Sequence, residues 1–175
     1  NVLKKGVDWG VSLIQLRDKF ASKETIFNKS KCVKELCKES DTPFICNDYI
    51  DIVQALNLDG LHTGQDDIPI EIQRHLLGPH KLIGRTTSNL KLGEQAQKQG
   101  ADYVSVGPIW ETPSKPGRKA IGLDYLNEAK QLDIPYVAIG GINSDNFDQI
   151  SSYHPPLIAV IRSYKSIPDY IKRMI

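Results

Sequence analysis

Seven short apolar runs, each followed by a stretch with helical spacing, constrain this chain more than any other feature. The strand-like runs are 11–17 (VSLIQLR), 43–48 (PFICND), 60–64 (GLHTG), 81–86 (KLIGRT), 103–108 (YVSVGP), 135–141 (PYVAIGG) and 157–162 (LIAVIR). They are nearly continuous in apolar residues, as strands buried on both faces are. Helical spacing fills the gaps at 24–40, 49–57, 70–77, 90–99, 123–132, 145–152 and 167–174. Candidate N-caps are Ser88 or Asn89, Asn143 or Ser144, and Ser166 ahead of Pro168. Strands that alternate with helices in this way predict a parallel sheet covered on both faces.

Residues 1–8 read as the tail of a further helix ahead of the first run. Seven strands preceded by such a helix point to a (β/α)8 barrel whose first strand is absent from this sequence. An open doubly wound sheet of the flavodoxin type is the alternative, and length favours it, because barrels take about 250 residues. Two glycines ending the sixth run and Arg162 ending the seventh favour the barrel, where the last two strand loops commonly build a phosphate site. The chain opens on Asn1 and its one methionine is Met174, so the expectation is a segment of a longer or processed protein. Residues 1–175 are read as a single domain of this kind.

Composition narrows the partners. With 175 residues, 40% of them hydrophobic and 25% charged, the chain can bury an ordinary core. A formal net charge of +1 argues against a nucleic-acid binder. No apolar run approaches the roughly eighteen residues that span a bilayer. Cys32, Cys37 and Cys46 show neither a CxxC spacing nor an even framework, which predicts buried thiols in a reducing cytoplasm. Association with further copies of the chain is left open.

Polar groups gather at the C-terminal ends of the runs. They are Gln15, Arg17 and Lys19; Asn47 and Asp48; His62 to Asp67; Arg85 and Thr86; the loop after Pro108; Gly140 and Gly141; and Arg162 with Ser163. Parallel α/β folds bind their ligands at this end of the sheet. The loop 107–122, GPIWETPSKPGRKAIG, adds Thr112, Ser114, Lys115, Arg118 and Lys119. So many cations on one rim of a near-neutral chain suit an anionic ligand. Asp48 and Asp67 among them suit a hard divalent ion, since Mg²⁺ commonly takes one or two carboxylates and completes its shell with water and phosphate. The plainer alternative is that the two acids pair with neighbouring Arg and Lys. Neither a Walker A motif nor GxGxxG occurs, so a nucleotide is not indicated.

In order and spacing, QLRDK (15–19), ND (47–48), GLHTGQDD (60–67), GRT (84–86), DYVSVGPIWETPSK (102–115) and AIGGI (138–142) resemble thiamine phosphate synthase. The resemblance covers the chain apart from that family's first strand. It implies a barrel transferase that joins a hydroxymethylpyrimidine diphosphate to a thiazole phosphate with Mg²⁺, giving thiamine phosphate and pyrophosphate. It further implies that Gln15, Arg17, Lys19, Asn47 and Lys115 hold the pyrimidine diphosphate and that Asp48 and Asp67 bind the metal. Thr86 stands where the family often has serine near the leaving group. Thr112 and Ser114 match a pair of hydroxyls on the thiazole phosphate, and Gly141 matches a glycine whose N–H approaches it. Arg162 stands where many members have a phosphate-contacting serine.

Such chemistry asks little of nucleophiles. An electron-rich aminopyrimidine can carry positive charge as pyrophosphate leaves, so the protein must stabilise the leaving group, a task for Arg17, Lys19 and Lys115. Two rivals stand beside this reading. A related thiazole tautomerase uses a histidine just after the GRS strand, where this chain reads GRTTSN. A non-catalytic module that binds thiamine precursors within a longer protein is the other. His62, Trp9 and Tyr136 read as packing residues. His75, His80 and His154 lack ligand spacing, and Trp110 could cover a substrate or pack on the rim.

Overall fold

The computed structural model describes residues 2–174, which divide into two compact units, the first ending at Gly84 and the second starting at Arg85. In the first unit, α1 (Val2–Asp8), β1 (Ile14–Leu16), α2 (Lys23–Lys38), β2 (Phe44–Asn47), α3 (Ile50–Leu56), β3 (Gly60–Thr63) and α4 (Ile70–Leu77) follow one another. β4 (Leu82–Thr87) runs through the boundary. The second unit continues with α5 (Leu90–Lys98), β5 (Tyr103–Val106), α6 (Asp124–Glu128), β6 (Tyr136–Ile139), α7 (Phe147–Ser151), β7 (Leu157–Ala159) and α8 (Ile167–Met174).

The strands form one sheet in the order β1-β2-β3-β4-β5-β6-β7, with parallel pairing of β1 to β2, β2 to β3, β5 to β6 and β6 to β7. Sequential order is the order of (β/α) barrels. A flavodoxin-type sheet would run 2-1-3-4-5, so the doubly wound alternative is excluded. No helix among the described residues is long and apolar enough to cross a membrane.

Every expected strand and helix is present, but the boundaries move for local reasons. β1 starts at Ile14 rather than at 11, because the Val11 N–H still bonds back to the Gly6 carbonyl at 3.3 Å. β6 stops at Ile139 because Gly140 and Gly141 turn to φ of 107° and 72°. β4 instead runs on to Thr87, so Arg85 and Thr86 lie inside a strand, and Arg85 is buried. The helix expected over 123–132 divides into α6 and a 3-10 turn at Ala129–Gln131.

Caps divide in the same way. Asn89 caps α5 by accepting from the Leu92 N–H at 3.0 Å, as expected. Neither Asn143 nor Ser144 caps α7, which begins after Asn146; Asn143 instead accepts from the Asp145 and Asn146 N–H groups in the preceding turn. Ser166 ends a 3-10 turn that runs into α8, and its hydroxyl meets that of Ser144 at 3.1 Å. Ser22 is a cap the sequence reading missed, and it accepts from the Thr25 N–H.

The core of the first unit joins Ile26, Val33 and Cys37 of α2 to Phe44 and Cys46 of β2, Val53 of α3 and Leu61 of β3. Burial of each such Ile or Phe side chain contributes about 1.5–3 kcal/mol. Ile26, Ser30, Val33 and Cys37 form the inward stripe of α2 at spacings of four, three and four. Cys32 falls off that stripe and is exposed, which corrects the expectation of three buried thiols. Burial pushes the Cys46 thiol up to about 11 and raises that of Cys37. Trp9 is half-buried at the end of α1 rather than a core residue, whereas His62 and Tyr136 are buried as expected.

In the second unit Phe147 of α7 stacks on Tyr170 of α8 at 4.0 Å. Arg173 lies over the Phe147 ring and pairs with Asp148, fastening α8 to α7.

Gly60 opens β3 where a Cβ would lie 2.7 Å from that of Leu82 and against the Leu82 carbonyl. Gly10, at φ 78°, has nothing within 4 Å of a Cβ. Gly60→Ala should therefore destabilise by about 3 kcal/mol, the upper end of overpacking costs. Gly10→Ala should cost about 1 kcal/mol, the penalty for a left-handed residue. Urea unfolding of both variants measures the difference.

Candidate active site

Parallel pairing sets the height of each polar group. Leu16 stands beside Cys46, and Asn47 beside His62, so Arg17 and Lys19 leave β1 at the level where Asp48 leaves β2. Asp48 is held at φ 67°, a conformation rare outside glycine and asparagine, while its N–H bonds the His62 carbonyl at 2.9 Å. In that pose its carboxylate meets the Lys19 ammonium in an ion pair. The pairing alternative raised by the sequence thus holds for Asp48. Asp67 lies in the turn after β3, where its Oδ2 accepts from the Gly64 N–H at 2.6 Å. These carboxylates stand at the ends of adjacent strands, and among the described residues no group of three or more His, Cys, Asp or Glu gathers to hold a metal.

Gln15 sits within β1 and is exposed, Arg17 is half-buried just beyond it, and Asn47 is buried at the end of β2. Asp18, between Arg17 and Lys19, organises their loop, which the sequence reading did not foresee. One carboxylate oxygen accepts from the Phe20 and Ala21 N–H groups at 3.1 and 3.2 Å, and the other accepts from Lys29 Nζ at 2.7 Å. Its signal in sequence is an aspartate two and three residues ahead of the N–H groups it caps.

Thr112, Ser114, Lys115, Gly141 and Arg162 line one cavity of about 460 Å³ in the second unit, together with Glu111, Asn143 and Ser163. It lies between the loops that follow β5, β6 and β7. The loop after β5 is closed at its root: the Ile121 N–H bonds the Pro108 carbonyl at 2.9 Å, and the Gly122 N–H bonds that of Ile109 at 3.1 Å. Thr112 Oγ1 accepts from the Ser114 N–H at 3.3 Å, leaving its own proton for a ligand.

The floor is made of glycine for steric reasons. A Cβ on Gly140 would lie 2.5 Å from Pro108 Cα, and one on Gly141 would lie 2.6 Å from Trp110 Cβ. Trp110 is half-buried and packs on this rim. Asn146 Nδ2 donates to the Gly141 carbonyl at 3.0 Å, and Ser163 Oγ donates to the Ile142 carbonyl at 2.8 Å. The Gly140 carbonyl is engaged in turn by the Trp110 N–H at 3.1 Å, so the carbonyls of residues 140, 141 and 142 are all taken. Arg162 is exposed at the cavity and forms no ion pair with Asp169 or any other acid among the described residues. Asn143 and Ser163 are cavity residues the sequence reading left unassigned.

Thr86 is half-buried in β4 and accepts a hydrogen bond from Ser105 Oγ at 3.3 Å. The buried hydroxyl of Thr87, on the opposite face of the strand, pairs with that of Tyr125 at 2.8 Å. Burial raises the Tyr125 phenol even though its bond to Thr87 works the other way.

Sequential parallel strands with a glycine-floored cavity beyond their C-terminal ends, lined by Lys115 and Arg162, define a protein of the (β/α)-barrel class. Residues 1–164 match the family described as thiamine monophosphate synthase, and the chain belongs to that family. The thiamine-phosphate synthase of Shouchella clausii is 41% identical over 170 residues, covering 96% of this chain and 81% of the relative. That of Synechocystis is 39% identical over 155 residues, covering 88% of this chain and 45% of the relative. The chain thus spans about half the length of the cyanobacterial relatives it matches. The thiamine phosphate pyrophosphorylase structure from Pyrococcus furiosus superposes with a TM-score of 0.87 at 29% identity, covering 99% of this chain and 87% of that one.

Asp18 carries a pH signature. Its carboxyl lies below the usual carboxylate range, first because of the Lys29 hydrogen bond and next because of the Phe20 N–H. A depressed carboxyl contributes stability above its unfolded pKa of about 3.9, and that contribution is lost as pH falls through the lower folded value. Asp18→Asn should melt below the parent protein at neutral pH, and the gap should close as pH falls below about 4. Thermal melts across that range measure it.

Proposed function

We propose that this chain catalyses the condensation of 4-amino-5-hydroxymethyl-2-methylpyrimidine diphosphate with thiazole phosphate, giving thiamine phosphate and pyrophosphate. The observation that carries the reading is the meeting of Thr112, Ser114, Lys115, Gly141 and Arg162 around one cavity. These residues come from three separate stretches of the sequence, the loop after β5, the end of β6 and the end of β7, and the fold brings their hydroxyls, glycine N–H and cations to one cavity. Membership of the family and the identity to thiamine-phosphate synthases of about 40% support the same reaction.

In this reading the second unit's cavity takes thiazole phosphate. The Thr112 and Ser114 hydroxyls and the Gly141 N–H meet the phosphate oxygens, and Arg162 adds a planar, charge-assisted contact. Gln15, Arg17, Lys19 and Asn47 hold the pyrimidine diphosphate. Thr86 and Lys115 serve its leaving group. Asp48 and Asp67 would hold Mg²⁺, a fit supported by their all-oxygen, two-carboxylate character at neighbouring strand ends. Bound there, the ion would supply positive charge to the departing pyrophosphate. Arg17, Lys19 and Lys115 lower the barrier by the same electrostatic route, and the protein need provide no nucleophile. Holding the thiazole nitrogen in line for attack is a matter of position, supplied by the phosphate cavity. GRTTSN leaves the tautomerase position without histidine. The three cysteines are free, which supports a cytoplasmic setting.

Asp48→Asn and Asp67→Asn should each abolish Mg²⁺-dependent turnover while melting near the parent temperature. Asparagine tolerates the left-handed conformation of Asp48, so the fold at that position is retained. Turnover against Mg²⁺ concentration, with a melt of each variant, tests this; undiminished turnover in both would remove the metal from the reading.

The cavity residues divide by kinetics. Lys115→Ala should lower kcat by about 10²–10³, as loss of a preorganised charge does, with modest change in KM. Thr112→Val should raise KM for thiazole phosphate about tenfold or more, since a hydrogen bond to a charged group is worth about 1.5–3 kcal/mol. Steady-state assays with each substrate varied separate the two outcomes. Identical behaviour of both variants would refute the division.

A further inference from the structure

Ser105 lies in the middle of β5 and is 6% exposed. A hydroxyl buried in a strand needs a partner, and its Oγ donates to Thr86 Oγ1. Thr87 Oγ1 donates to the Ser105 carbonyl at 3.3 Å. A threonine hydroxyl has one proton, so Thr87 must accept from the Tyr125 phenol at 2.8 Å. Tyr125 is kept protonated by its burial. Gly93 makes room for that phenol, because a Cβ there would lie 2.7 Å from the oxygen. Ser105 is thus held on its carbonyl by one hydroxyl pair while its side chain reaches Thr86 on the other face of the sheet.

We infer that Ser105 is a positioning residue for Thr86, a role nothing in the motif set assigns to it. The inference rests on the reading above, in which Thr86 serves the leaving group. By donating to Thr86 Oγ1, Ser105 occupies one acceptor position of that hydroxyl and so excludes the Thr86 proton from the direction of Ser105. Phosphate oxygens accept and cannot donate, so the proton direction matters more than the mere presence of a hydroxyl. Hydroxyls in series also polarise one another, making Thr86 the stronger donor. At 3.3 Å the Ser105–Thr86 bond is long for two hydroxyls, as catalytic hydrogen bonds commonly are before substrate tightens them.

The test uses the full chain and five proteins: the parent, Ser105→Ala, Ser105→Thr, Thr86→Val and the Ser105→Ala/Thr86→Val double variant. kcat and KM for both substrates and the melting temperature are measured for each. Thr86→Val should lower kcat about tenfold to a hundredfold. Ser105→Ala should lower kcat about fivefold with both KM values and the melting temperature unchanged, and Ser105→Thr should restore it. The double variant should be no slower than Thr86→Val alone, because the two residues act in series. If Thr86→Val is slow while Ser105→Ala is fully active, or if the two losses multiply, the inference is overturned and the role of Thr86 stands. A silent Thr86→Val would overturn the assignment of Thr86 and the inference with it. A Ser105→Ala loss that follows a lowered melting temperature would reduce Ser105 to packing and overturn the inference as well.

Discussion

The placement of polar groups at the C-terminal ends of the strands depends on the register of the parallel ladders. Asn47 beside His62, and Ala138 beside Ile158, fix the height at which each strand releases its chain. Because parallel strands all end on the same side, each release puts a polar group on one surface. Both faces of β2 are buried, so a slip of one residue would exchange them and shift the height at which Asn47 and Asp48 leave the strand; the packing that holds register also sets where the polar groups emerge. The core and the site are in this sense specified by the same pattern.

That pattern was largely legible from sequence. Continuous Val and Ile runs between amphipathic segments located all seven strands and the helices between them. The cavity residues of the second unit were legible for a different reason: Thr112, Ser114, Lys115 and Gly141 belong to motifs with fixed spacing. What stayed hidden depends on distance across strands or on exact backbone angles. Ser105 and Thr86 are nineteen positions apart and their contact has no local signature. The left-handed Asp48 gave no warning, since aspartate is an ordinary residue at strand ends. The burial of Arg85 was missed because a charged residue in a strand reads as the strand's end, whereas β4 carries it inward. Asn143 capped a turn rather than a helix, because its side chain reached N–H groups two and three residues ahead before any helix began.

Charge is arranged locally rather than globally. A net charge of +1 hides local groups of cations, Arg17 and Lys19 in the first unit and Lys115 and Arg162 in the second, balanced by acids elsewhere on the chain. One of those acids, Asp48, is already engaged by Lys19. The Lys19 ammonium lies on Oδ2 of that carboxylate, so a cation approaching Asp48 would either share the group through Oδ1 or displace the lysine.

The loop between β5 and α6 leaves and re-enters through two backbone hydrogen bonds, Ile121 to Pro108 and Gly122 to Ile109. Those bonds involve no side chains, so they do not depend on what residues 111–120 are. Variation there is insulated from the strands on either side. Such a loop behaves as a cassette: its cations and hydroxyls can be exchanged, lengthened or thinned in the course of divergence while the sheet beneath keeps its geometry. What the loop presents to the cavity can then change without putting the stability of the scaffold at stake.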